Sequence, residues 1–156
     1  MAGVSDPHPL AGPAYWDSNL FLAYLESTTG QIEAIDALLA KFSRGPDPGI
    51  VTSVLSIVEV AFIEDEKQRR RLVPGLDDFL GTIWADPAIR VVDLTTTIAA
   101  EARRMLRDSL LVGPRLKPPD AIHLATARSA NVGYFFTRDA ALIRHTGRYD
   151  FAIVEP

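Results

Sequence analysis

The chain has 156 residues, 47% of them hydrophobic and 23% charged, with 20 acidic residues against 16 Lys and Arg and a net charge of -4. These values fit one globular domain with a single core and exclude a disordered or fibrous chain, while the acidic balance argues against a broad surface for non-specific DNA binding. The absence of cysteine excludes disulfides, thiolate metal sites and a thiol nucleophile, so any bound metal must take oxygen or imidazole ligands.

Residues 1–14 carry Gly3, Pro7, Pro9, Gly12 and Pro13 and read as a loosely held arm outside the core. This arm lacks the basic and apolar regions of a secretory signal. The longest apolar run, Val54 to Ile63, is interrupted by Ser56 and Glu59 and is shorter than the roughly 20 residues that cross a bilayer. A cytoplasmic location is the resulting expectation. From Ala14 the chain reads as a short strand to Asp17 and then a helix from Asn19 to Glu26, with Leu20, Phe21, Tyr24 and Leu25 at helical spacing. Gly30 to Phe42 repeats that spacing and the turn residues RGPDPG close it, so a helical hairpin is predicted.

Ile50 to Ser53 reads as a second strand, followed by one long helix whose first half is apolar and whose second half is EDEKQRRR. A helix over Gly75 to Trp84, a strand over Ile89 to Leu94 and an amphipathic helix over Thr97 to Leu111 come next. The loop GPRLKPPD leads into the helix AIHLATARSA. Tyr134 to Thr137 is predicted as a strand, Ala140 to His145 as a helix and Phe151 to Val154 as a last strand. Strands alternating with helices predict an α/β sandwich with a mainly parallel sheet, whose ligands lie outside the carboxyl ends of the strands.

Four acids occupy places where acids are expensive. Asp17 ends a strand between Tyr15, Trp16 and the apolar Leu20 to Leu22, where an unpaired carboxylate must protonate, bind a cation or accept strong hydrogen bonds. It also suits a helix cap. Glu59 and Ser56 are the polar pair of the 54–63 run, three residues apart and so on one helical face, which points to burial against a polar partner or a cleft. Asp120 follows Pro118 and Pro119 at a helix start, and Asp139 follows the apolar strand; either alone reads as a cap. His123, one turn after Asp120, reads as a structural histidine. Taken together, the four acids fall on one edge of the predicted sheet, and such an all-oxygen cluster suits Mg2+ or Mn2+ and phosphodiester hydrolysis.

The motifs DSN at 17–19, SxxE at Ser56 to Glu59, DAIHLATA at 120–127 and TRDAAL at 137–142 occur in the order and spacing of the PIN-domain family, and the chain from Tyr15 to Val154 resembles it. The resemblance implies a PIN domain over 15–156, a three-layer α/β/α sandwich and cleavage of single-stranded RNA. It makes Asp17, Glu59, Asp120 and Asp139 the catalytic, metal-binding acids, with Asp17 and Asp120 as the direct ligands. Asn19, Ser56 and Thr137 match neutral polar positions that would orient the carboxylates or a bound water. Similarity to VapC-type toxins further implies a homodimer and a cognate antitoxin of a type II pair that occupies the active-site groove. Arg115, Lys117 and Arg138 are the residues placed to contact RNA phosphates, whereas the run Lys67 to Arg71 reads as a solvated face. Two other readings remain: a PIN-fold RNA- or protein-binding module with little turnover, and a phosphoacceptor or phosphatase. The second of these lacks the additional acid or lysine that it needs beside Asp17.

Overall fold

The computed structural model describes residues 12–26, 40 and 49–156. The second helix of the predicted hairpin, Gly30 to Phe42, lies outside the described residues apart from Ala40, as does most of the 1–14 arm. Five parallel strands form the sheet: β1 (Ala14–Trp16), β2 (Ile50–Ser53), β3 (Ile89–Val92), β4 (Tyr134–Phe136) and β5 (Ala152–Val154), in the order β3-β2-β1-β4-β5. Central strands of a parallel sheet are covered on both faces, which is why β1, β2 and β4 are short continuous runs of buried residues rather than alternating ones. The first strand begins at the end of the proline-rich arm: the Pro13 carbonyl accepts from Gly133 N–H at 3.0 Å, and Ala14 N–H donates to the Gly49 carbonyl at 2.8 Å.

The described helices are α1 (Ser18–Leu25), α2 (Leu55–Glu59), α3 (Glu64–Arg69), α4 (Leu76–Trp84), α5 (Thr96–Leu111), α6 (Pro118–Ser129) and α7 (Ala140–Ile143). Side chains alternate across the sheet with the period of two that strand geometry imposes. Tyr15, Val51, Phe135 and Ile153 join Ile98, Ala102 and Leu124 of α5 and α6 on one face. On the other face Ala14, Trp16, Ile50, Tyr134 and Phe136 join Leu20 and Phe21 of α1 and Leu80 of α4. The result is the three-layer α/β/α sandwich that the sequence implies. Among the described residues, no helix is long and apolar enough to cross a membrane.

The long helix predicted after β2 is broken in two, and this corrects the sequence reading. Helix α2 stops at Glu59, Val60 leaves helical geometry at φ -93 and ψ 37, and α3 starts only at Glu64. The acids Glu64, Asp65 and Glu66 favour a new helix start, since negative charge is stabilised by the free N–H groups of a first turn. Glu66 is itself buried and accepts from Ile63 N–H at 3.4 Å and Val73 N–H at 2.7 Å, which fixes both ends of α3. The 67–71 run is exposed, as expected, with Lys67 paired to Glu64 and Arg69 to Asp65.

In the strand order, β2 and β3 lie to one side of β1 and β4 and β5 to the other. The ends of β1 and β4 therefore flank the point where the winding reverses, the place at which open parallel sheets leave a crevice for ligands. Phe135, fully buried in β4, stacks on Tyr15 at 4.8 Å and on Phe151 at 5.9 Å. Phe135→Ala is expected to cost about 3–5 kcal/mol in urea unfolding, whereas Arg69→Ala, which removes an exposed ion pair, is expected to cost no more than about 0.5 kcal/mol.

Candidate active site

Asp17 leaves β1 at the reversal point and is 2% exposed. It is the N-cap of α1, with Oδ1 accepting from Leu20 N–H at 3.3 Å. Its other oxygen does something a cap does not require: Thr137, directly after β4, donates its hydroxyl to Asp17 Oδ2 at 2.5 Å. The Asp17 amide also reaches the Phe136 carbonyl at 3.4 Å. The cap and cleft readings of Asp17 are thus both realised, by different oxygens of one carboxylate.

Thr137 is fully buried, and its hydroxyl oxygen accepts from Asp139 N–H at 2.9 Å. Asp139 caps α7 through Ala141 N–H at 2.8 Å. Asp120 is half-buried in the first turn of α6, which begins at Pro118 because a proline lacks one of the N–H groups that a first turn leaves free. Asn19 is exposed in the first turn of α1 and lines a groove of about 530 Å3 with Arg138, Asp139, Glu26, Glu64 and Lys67. Lys117 lies close enough to lower the pKa of Asp120, and Arg115 is exposed in the preceding loop.

Glu59 departs from the sequence reading. Burial in a long apolar helix was the expectation; it is instead an exposed residue at the last position of α2, beside the exposed Ile57 and Val58. Its carboxylate is drawn inward by His123, whose Nε2 lies 2.5 Å from Glu59 Oε1. Ser56, by contrast, is fully buried and its hydroxyl pairs with Thr52 at 2.8 Å, while Thr52 donates to the Trp16 carbonyl at 2.8 Å. The SxxE pair thus splits: the serine braces β1 and the glutamate meets α6. Sequence reasoning gave His123 only a structural part; the signal available was its position three residues after Asp120, on the same helical face.

The electrostatics tie these groups into one neighbourhood. Burial raises Asp17 from an ordinary 3.8 to about 6; the Thr137 hydrogen bond, His123 and Leu20 N–H oppose that rise, and Asp139 adds to it. Asp120 is raised by its own desolvation and then by Asp139, with Glu59 contributing in the same direction. Among the described residues, no Lys or Arg forms an ion pair with Asp17, Asp120 or Asp139. Nor do any three acidic or imidazole groups among those residues stand close enough to enclose a cation as they are arranged. The donors present are all carboxylate oxygens, one of them buried and short of positive charge, and that donor chemistry fits a hard divalent ion.

A sequence model of the PIN domain matches residues 14–148 of the chain. No curated protein matches it in sequence. Several solved structures share its fold. A toxin-antitoxin complex from Klebsiella pneumoniae superposes with a TM-score of 0.61 at 18% identity, covering 90% of this chain and 95% of the other. FitAcB from Neisseria gonorrhoeae superposes at 0.62 and 16% identity, covering 90% and 95%. VapC20 from Mycobacterium tuberculosis, a sarcin-ricin loop cleaving toxin, superposes at 0.61 and 16% identity, covering 89% and 98%.

The raised pKa of Asp17 has a direct consequence for stability. Between the unfolded value and about 6 the native state holds the extra proton, so stability falls as pH rises through that window and the penalty is complete above it. Asp17→Asn keeps an acceptor for Leu20, turns its amide N–H toward the Thr137 oxygen, and removes the charge. In chelator-treated protein it is expected to raise unfolding stability by on the order of 2 kcal/mol at about pH 7.5, with the gain vanishing near pH 4. Urea titrations at the two pH values check this.

Proposed function

The chain belongs to the PIN domain family, and on that premise we propose that it is a Mg2+- or Mn2+-dependent endoribonuclease that hydrolyses phosphodiester bonds in single-stranded RNA, and the toxin of a type II toxin-antitoxin pair. The observation that carries this reading is the buried Asp17 carboxylate at the β1/β4 reversal point, held by Thr137 and crowded by Asp139 with no Lys or Arg paired to it among the described residues. Its two hydrogen bonds leave the carboxyl raised to about 6, so they do not by themselves offset its burial.

Asp17 and Asp120 would hold the metal, with Asp139 and Glu59 completing the set. Such an ion, when bound, lowers the pKa of a coordinated water and stabilises charge on the leaving oxygen. The protein's own groups do the rest. Thr137 fixes Asp17 Oδ2 and the Asp139 backbone at once, which ties the strand ends that carry two of the carboxylates. Asn19 and Arg138 line the groove that leads away from Asp139. Arg138, Lys117 and Arg115 carry the positive charge that would follow an RNA backbone past an otherwise acidic site.

Relatives in fold support the toxin reading, since the similar structures include a toxin-antitoxin complex and a sarcin-ricin loop cleaving toxin. An antitoxin segment would find apolar surface at the exposed Val58, Phe62 and Leu72, and self-association of the toxin would cover Leu110, Leu111 and Val112 at the end of α5. Both partners would meet the chain in the cytoplasm. The open spacing of the acids favours one alternative, a PIN-fold RNA- or protein-binding module with little turnover.

Purified protein incubated with single-stranded and structured RNAs is expected to cleave with Mg2+ or Mn2+ and not with EDTA. Asp17→Ala and Asp120→Ala are each expected to lower the rate by at least about a hundredfold, the scale of losing a group that stabilises transition-state charge. Cleavage in EDTA, or cleavage unchanged by Asp17→Ala, would overturn the mechanism. Tight RNA binding without turnover would favour the binding module.

A further inference from the structure

Glu59 poses a mechanical problem for the nuclease reading. It is the terminal residue of a helix of five residues, exposed, and followed by a stretch that is not helical. A glutamate in such a place spreads over many rotamers, and a carboxylate that must meet an ion with its neighbours cannot be left to do so.

A buried chain of hydrogen bonds answers it. Ser53 N–H, at the end of β2, donates to Tyr15 Oη at 3.1 Å. Tyr15 is fully buried in β1, and its Oη lies 2.6 Å from His123 Nδ1. His123, 2% exposed on α6, then places Nε2 at 2.5 Å from Glu59 Oε1. The direction of the chain is fixed at its far end, because a carboxylate can only accept: Nε2 carries the hydrogen that Glu59 takes, Nδ1 of the neutral imidazole is then the acceptor for the Tyr15 proton, and the Tyr15 oxygen accepts from Ser53 N–H.

We propose that Tyr15 and His123 are positioning residues for Glu59, a buried relay that holds its Oε1 and leaves Oε2 to face the acidic cluster. The proposal rests on the nuclease reading for what Glu59 does there. Its structural content is that β1 sets two carboxylates at once: Asp17 directly, and Glu59 through Tyr15, two residues earlier on the same strand. His123 spends one nitrogen on a buried phenol and the other on a partly buried carboxylate of a different helix, so the contact ties Glu59 to β1 across the core. One turn along α6 from Asp120, His123 also couples the start of that helix to α2.

Three readouts test this. Imidazole 15N NMR of the full chain is expected to show His123 as the Nε2–H tautomer, with its Nδ1 signal displaced in Tyr15→Phe. Mn2+ titration followed by electron paramagnetic resonance is expected to show about tenfold weaker binding in His123→Asn and in Tyr15→Phe, the scale on which groups that orient metal ligands act. In a Glu59→Ala background, the same two substitutions are expected to cost nothing further, since a residue that acts through Glu59 has nothing left to position. In RNA cleavage their loss is expected in kcat, with KM unchanged.

An Nδ1–H tautomer would overturn the relay. So would an unchanged Mn2+ affinity, or a loss of equal size with and without Glu59, which would mark His123 as a core residue only. Tyr15→Phe removes a single oxygen and keeps the ring stack, so it decides the matter if His123→Asn fails to fold. A wild-type protein that binds no Mn2+ and cuts no RNA would count against the nuclease reading itself, and the tautomer would then still decide whether the relay exists.

Discussion

The hydrogen bond from Thr137 to Asp17 joins the ends of two neighbouring strands at the point where the sheet reverses its winding, and most of what is distinctive in the molecule depends on it. Asp17 is nearly inaccessible, and desolvation lifts its carboxyl to about 6 even with Thr137 and the α1 amide holding it down. The fold tolerates this cost because β1 is packed on both faces by Tyr15 and Trp16, which leaves the chain no freedom to turn Asp17 outward. A site that stores unfavourable charge in a rigid frame is suited to a ligand that supplies the opposite charge.

Around that bond the other groups are arranged by different elements with different tolerances. Asp139 is set by Thr137 itself, through the backbone, and Asp120 by the first turn of α6 behind two prolines. Glu59 has no such backbone constraint and is held by a side chain from another helix. The cluster is therefore rigid on the β1/β4 side and adjustable on the α2 side. That asymmetry accords with carboxylates that do not close into a cage as they stand.

Much of this was legible in the sequence because it rests on local chemistry. Most strands and helices of the described residues announce themselves by periodicity or by a cap, as with Asp139 before α7 and the two prolines opening α6. The positions of Asp17, Asp120 and Asp139 at strand ends and helix starts follow from the same signals. The break after Glu59 was not legible, since the apolar run 54–63 fits a helix and only its packing exposes Ile57 and Val58. For that reason burial was the wrong argument for Glu59. The Tyr15 to His123 contact joins residues 108 apart, and the Thr137 to Asp17 bond residues 120 apart. No local pattern carries information over such separations, though the family motifs marked Thr137 as a position worth attention.

The central claim is that the Asp17 carboxylate, held at the β1/β4 end by Thr137, is built to receive a divalent cation together with Asp120. Crystals soaked in Mn2+ and measured for anomalous scattering test it most directly. The expected result is a peak bounded by the carboxylates of Asp17 and Asp120. A map with no peak there, with Asp17 still bound only to Thr137 and the Leu20 amide, would contradict the account.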